Sequence, residues 1–164
     1  MKILVFSDSH SSLSFMRRCI EKVKPDTLIH LGDYYDDGET IHEEYPHINF
    51  YQVPGNCDRY RCPPGAMEIM VIRARGPKLY MTHGHRHYVK QGLGMLLADA
   101  RREEAQIALY GHTHIPDCHR EPDGLWVLNP GSCGGSGNAG IIEIEDQKIC
   151  ACYLIRQADL EAMV

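Results

Sequence analysis

The chain has 164 residues, 43% of them hydrophobic and 24% charged, which is enough apolar content to fill one ordinary core without disulfide or metal support. Seventeen lysines and arginines against 22 aspartates and glutamates leave a net charge of −5, which argues against a broad nucleic-acid or anionic-lipid surface. No apolar run reaches the roughly 18 residues of a membrane helix, and the stretch at residues 3–6 is too short for a signal peptide. A soluble, cytoplasmic protein with one domain over residues 1–164 is expected.

Residues 2–7 form a β-rich apolar run that breaks into Asp8-Ser9-His10-Ser11-Ser12. Apolar steps of three and four residues at Leu13, Met16, Ile20 and Val23 then predict a helix, capped by Ser11 or Ser12 and closed by Pro25. Strands are predicted at 27–31, running into Gly32-Asp33, and at 48–53, running into Pro54-Gly55-Asn56. Asp36, Asp37 and Glu39 read as a solvated acidic loop and helix start. Further strands are predicted at 67–74 and 78–82 around a turn at Gly76-Pro77, the second leading straight into His83. An amphipathic helix over 89–104 is weakened at its start by Gly92 and Gly94.

A strand at 106–110 ends in Gly111-His112-Thr113-His114, and short strands follow at 125–128, 140–145 and 148–155, the last two joined at Asp146-Gln147. The glycine-rich residues 131–140 read as a mobile loop or a backbone nest for an anion. The seven cysteines are odd in number and include no Cys-x-x-Cys, so reduced thiols are expected. Cys150 and Cys152, two apart on a strand, should face the same core. Strand and helix alternating early, then hairpins, imply an α/β sandwich of mixed sheets.

Five segments share one pattern: an apolar strand ends, and metal-capable side chains follow at once. These are Asp8 with His10, Asp33, Asn56, His83, and His112 with His114. Strand ends of such sheets converge on one edge, so distant residues can meet there. Imidazole, carboxylate and amide donors without thiolate suit a catalytic Mn, Fe, Zn, Ni or Co site better than a closed structural zinc site. Seven donors exceed the needs of one ion but suit two divalent ions roughly 3.5–4 Å apart around a shared carboxylate. Only Asp8 and Asp33 are anionic, so a two-ion pocket keeps a formal charge of about +2, matched to a phosphoryl group and to acidifying water.

These motifs resemble those of the calcineurin-like metallophosphoesterase superfamily, in particular its short single-domain phosphodiesterase branch. Asp8-Ser9-His10, Gly32-Asp33, Gly55-Asn56-Cys57-Asp58, His83-Gly84-His85 and Gly111-His112-Thr113-His114 stand in the family's order, and Asn129-Pro130-Gly131-Ser132 is similar to its late turn. The resemblance implies a four-layer α/β/β/α sandwich. It assigns Asp8, His10, Asp33 and His114 to one metal and Asp33, Asn56, His83 and His112 to another, with Asp33 as the bridge. It implies phosphoester hydrolysis, of diesters first, by a bridging hydroxide. Mn²⁺ is the first expectation for both ions, ahead of Ni²⁺, Co²⁺, Fe²⁺ or Zn²⁺.

Many members carry a histidine where this chain has Cys57, a residue that helps stabilise phosphate or protonate the leaving oxygen. A thiol can donate a proton but supplies no positive charge. The catalytic candidates are therefore Asn56, Cys57, Asp58, placed beside a metal ligand, and His85, two residues beyond His83. Arg59, Arg61 and Arg86 adjoin these loops and are candidates to embrace a phosphate substituent. His30, His42, His47 and His119 read as surface or hydrogen-bonded residues. A small phosphoester is the expected partner, with no extended nucleic acid and no membrane, and a homodimer is possible by resemblance. The competing readings are a protein-binding scaffold of the same fold, a phosphomonoesterase and a nuclease.

Overall fold

Side chains on a strand alternate between two faces, and in the computed structural model, which describes residues 1–163, that alternation divides the apolar residues among three cores. The first half of the chain forms β1 (Lys2–Phe6), α1 (Leu13–Val23), β2 (Thr27–His30), α2 (Tyr35–Glu44), β3 (Asn49–Gln52), β4 (Ile69–Arg73) and β5 (Lys78–Thr82). After a 3-10 turn at His85–His87 come α3 (Gly94–Arg102), β6 (Ile107–Leu109), β7 (Asp117–Arg120), β8 (Trp126–Asn129), β9 (Asn138–Glu145), β10 (Lys148–Arg156) and α4 (Gln157–Ala162).

The strands form two five-stranded mixed sheets, ordered β10-β9-β1-β2-β3 and β4-β5-β6-β8-β7. Leu4 and Phe6 of β1 face outward and pack with Phe15, Met16, Cys19 and Ile20 of α1. Ile3 and Val5 face inward and meet Leu79, Met81, Ile107 and Leu109 of the other sheet. On that sheet the outward residues Tyr80, Ala108 and Val127 are covered by Leu96 and Ala100 of α3. Helix, sheet, sheet, helix is the α/β/β/α sandwich expected above. Strands β1, β2 and β3 run parallel in one sheet, and β5, β6 and β8 in the other, so their loops emerge from the carboxyl ends.

Several expectations are corrected. Asp36 and Asp37 do start a helix, α2, but Asp37 is buried rather than solvated. The predicted 89–104 helix begins only at Gly94, Gly92 standing at φ +153°. Strand β7 and helix α4 were not expected. Ser12 is the N-cap of α1 but makes no side-chain capping bond. A register shift between Ile149 and Ala151 inserts a bulge at Cys150, so Cys150 turns outward while Cys152 packs toward the inter-sheet core. The turn at Asp146-Gln147 is as expected, both residues having positive φ as a two-residue hairpin of this hand requires.

Candidate metal centre

The loops after β1, β2, β3, β5 and β6 meet at one edge of the sandwich. Asp8, His10, Asp33 and His114 each offer one donor atom within 4.8 Å of the others. His83 Nε2 lies 3.6 Å from Asp33 Oδ1, 4.0 Å from Asp8 Oδ1 and 3.0 Å from Asn56 Oδ1. The His112 ring is 5.1 Å from that of His83, and the His10 ring 5.4 Å from that of His114. All seven sequence-predicted donors thus gather in one cluster, with both Asp8 and Asp33 lying between His83 and the His10–His114 pair.

Backbone geometry at these positions is unusual. Asp8, His10, Asp33, His112 and His114 all have positive φ, between 44° and 67°. Residues with a Cβ rarely adopt this region unless the surrounding structure enforces it. Glycines make the loops close enough: a Cβ on Gly55 would collide with Asp33 Oδ1, and one on Gly111 with Ser7 Oγ.

The donors are left in a state that a cation fits. Asp8 is fully buried, and its Oδ1 accepts no hydrogen bond although His114 Nε2 is 3.0 Å away. His83 Nδ1 is 2.8 Å from the Leu31 carbonyl oxygen, which fixes the ring proton there. In the neutral ring its Nε2 lone pair faces the oxygens of Asn56 and Asp33, an acceptor against acceptors. A positive ion resolves both arrangements, and the oxygen and imidazole donor set suits a divalent metal.

Burial and neighbouring charge shift the titration of four groups here. Burial first, then the adjoining His83, Lys90 and His85, push His112 down to about 4, leaving a neutral imidazole at neutral pH. Burial opposes ionisation of Asp33, but His83 and the Cys57 N–H, 2.9 Å from Asp33 Oδ1, hold its carboxyl below the usual range. Burial and the Asp33 carboxylate push the Cys57 thiol up. Burial and His83 push His85 down, and its buried Nδ1 has no protein partner.

The supporting residues were mostly not legible beforehand. Asp58, fully buried, turns its carboxylate to backbone N–H groups rather than into the cluster. Ser9 Oγ is 3.0 Å from His30 Nε2 and donates to Asp37 Oδ2 at 2.7 Å, and Asp37 also accepts the Ser11 N–H. His30 Nδ1 accepts the Gly32 N–H at 3.2 Å, so this buried ring joins the loop of Asp8 to that of Asp33. Asn129 holds the third loop, its amide donating to Gly111 O and Thr113 Oγ1. Ser132 Oγ and the N–H of Gly134 bind the Asp8 carbonyl, and the Cys133 N–H binds that of Ser7, so this part of the glycine-rich segment buttresses the cluster instead of forming an open anion nest. Arg61 is paired with Asp36 and Arg86 with Glu68, while Arg59 lines an adjoining cleft.

An α/β/β/α sandwich with carboxylate, amide and imidazole donors gathered at its strand ends defines a metal-binding hydrolase of the phosphoesterase class. The chain belongs to the calcineurin-like phosphoesterase superfamily, whose domain it matches over residues 1–147. A probable metallophosphoesterase of Mycoplasma pneumoniae is 30% identical over 134 residues, 80% of this chain and 78% of that one. A phosphodiesterase of Methanocaldococcus jannaschii is 29% identical over 149 residues, 82% of this chain and 86% of that one. The crystal structure of a conserved uncharacterized Streptococcus pneumoniae protein, described as a predicted phosphoesterase, has a TM-score of 0.78 at 28% identity, covering 96% of this chain and 90% of that one. Metal-dependent phosphoester hydrolysis is therefore the reaction class of this chain. Among the described residues no helix is long and apolar enough to cross a membrane.

Proposed function

We propose that the chain is a phosphodiesterase with a two-ion centre, Mn²⁺ first among the candidate metals, acting on small phosphodiesters. The observation that carries this reading is the buried, unpartnered Asp8 Oδ1 beside His114, together with the His83 lone pair aimed at Asn56 and Asp33. Asp8, His10, Asp33 and His114 would hold one ion and Asp33, Asn56, His83 and His112 the other. Divalent ions so bound would polarise the phosphoryl oxygens and lower the pKa of a water to give the nucleophile.

The remaining chemistry falls to the chain's own side chains. His85, whose pKa is lowered by burial and His83, lines the adjoining cleft and offers a hydrogen bond to a phosphoryl oxygen there. Cys57 stays protonated and stands beside Asn56, a weak proton donor for the departing oxygen. A cleft of about 550 Å³ lined by Pro54, Asn56, Arg59, Cys62 and His85 opens next to these residues, with room for the second ester substituent. The phosphodiesterase name of the Methanocaldococcus jannaschii relative supports the diester reading.

The test is turnover of aryl phosphodiester and monoester substrates by metal-stripped protein titrated with Mn²⁺, Ni²⁺, Co²⁺, Zn²⁺ and Mg²⁺. Restored diester hydrolysis exceeding monoester hydrolysis is expected. Restoration confined to monoesters would replace the diesterase reading by a phosphomonoesterase, and failure of every metal would favour a binding scaffold.

A further inference from the structure

Cys118 lies on β7, the outer strand of one sheet, and Cys152 on β10, the outer strand of the other. Their Sγ atoms are 3.4 Å apart, and Cys118 Sγ is 3.3 Å from the Cys152 carbonyl oxygen. Register sets this meeting. Cys118 pairs with Leu128 and Cys152 with Ile142, both inter-sheet core residues, and directly paired residues share a face. Both thiols therefore point between the sheets, where they are half-buried at the rim of the core. The neighbouring Cys150 is exposed on the opposite side, its Sγ 3.3 Å from Glu143 O.

We infer that Cys118 and Cys152 are a modification site that forms a reversible disulfide between the two sheets, with a small disulfide of the glutathione class as co-substrate. The sulfurs must close from 3.4 Å to about 2.05 Å, and both strands are sheet edges with a neighbour on one side only. The Cys118 thiolate attacks one sulfur of the small disulfide, breaking its S–S bond and releasing one small thiolate. Cys152 then attacks Cys118 Sγ, breaking the mixed disulfide, releasing the second small thiolate and yielding its proton to it. Two electrons pass from the cysteine pair to the small disulfide, which is reduced to two thiols. Pairing with the Cys152 thiol holds that of Cys118 below its ordinary value and pushes Cys152 up, which makes Cys118 the first attacker. None of this chemistry uses the metal cluster. Strand β7 begins at Asp117, just past the loop that carries His112 and His114, so the link also restrains that loop.

The full chain, stripped of metal, is incubated with oxidised glutathione, digested without reduction and mapped by mass spectrometry. One intramolecular link between the Cys118 and Cys152 peptides is expected, reversed by reduced glutathione, with a Tm increase of about 5–10 °C. Cys152→Ser should accumulate a lasting glutathione adduct on Cys118, and Cys150→Ser should leave the link unchanged. Stable adducts on Cys118 of the unaltered chain without a link to Cys152, or links only between chains, would overturn the assignment.

Discussion

The carboxylate of Asp58 grips the backbone of Asp33, Oδ2 accepting the Asp33 N–H at 2.8 Å and also the Gly55 N–H at 2.7 Å, while Oδ1 accepts the Tyr35 N–H at 3.0 Å. One buried acid thus clamps the loop of Asp33 to the loop of Asn56. Stranding buried donors costs about 1–3 kcal/mol each. Asp58→Ala should lose on the order of 3 kcal/mol in urea melts. It should also bind divalent metal about 10- to 100-fold more weakly in competition with a chelator, although no donor is removed. Undiminished affinity in the folded variant would show that the loops hold without the clamp.

Asp8 is fully buried with one oxygen unanswered, at φ +51°, a conformation that asparagine tolerates well. Asp8→Asn should therefore stabilise the metal-free protein by about 1–2 kcal/mol, a Tm rise of a few degrees. The same variant should lose most of the Tm gain on adding Mn²⁺. Calorimetry of both proteins with and without metal decides it. A metal-free variant less stable than its parent would contradict a carboxylate held ready for a cation.

His30 is fully buried, and burial pushes it down from 6.5 to about 4, with His83 adding to the effect against nearby carboxylates. A group depressed in the folded state contributes stability above its unfolded pKa and loses it as pH falls toward the folded value. The metal-free protein should therefore lose roughly 3 kcal/mol between pH 6.5 and pH 4 on account of this residue. Urea melts across that window, compared with His30→Gln, measure the difference. Equal slopes for the two proteins would remove His30 as the cause.

Cys57 is a poor proton donor because burial and Asp33 push its thiol up. Diesters with aryl leaving groups, which need little protonation, should be hydrolysed much faster than alkyl diesters. Cys57→Ala should slow alkyl diesters about 10-fold or more and leave activated aryl diesters nearly unchanged, whereas Cys57→His should accelerate the alkyl substrates. A uniform effect on both substrate classes would argue that Cys57 only packs.

The apolar run of β1, buried on both faces, and the three- and four-residue steps of α1, which bury one face, were visible in sequence. The donor loops were visible because strand ends are abrupt and their residue types unusual. Only the start of helix α2 was, since Ile41 is its one buried large apolar residue and Gly38 lies within it; packing rather than propensity carries it to Glu44. Strand β7, with sequence DCHR, is short and polar and carries no alternation to read. The Ser9, His30 and Asp37 network joins positions 21 and 28 residues apart, and no local pattern encodes such a meeting. The bulge at Cys150 likewise depends on pairing with β9, which reverses a face assignment made from spacing alone.

Five of the seven proposed donors sit on left-handed backbone that glycine or asparagine would occupy at lower cost. Folding and catalysis therefore select in opposite directions at these codons. In a lineage released from hydrolysis, exchanges toward glycine or asparagine there would accumulate as gains in stability, and the sheets, which supply none of the donors, would persist unchanged as an inert frame.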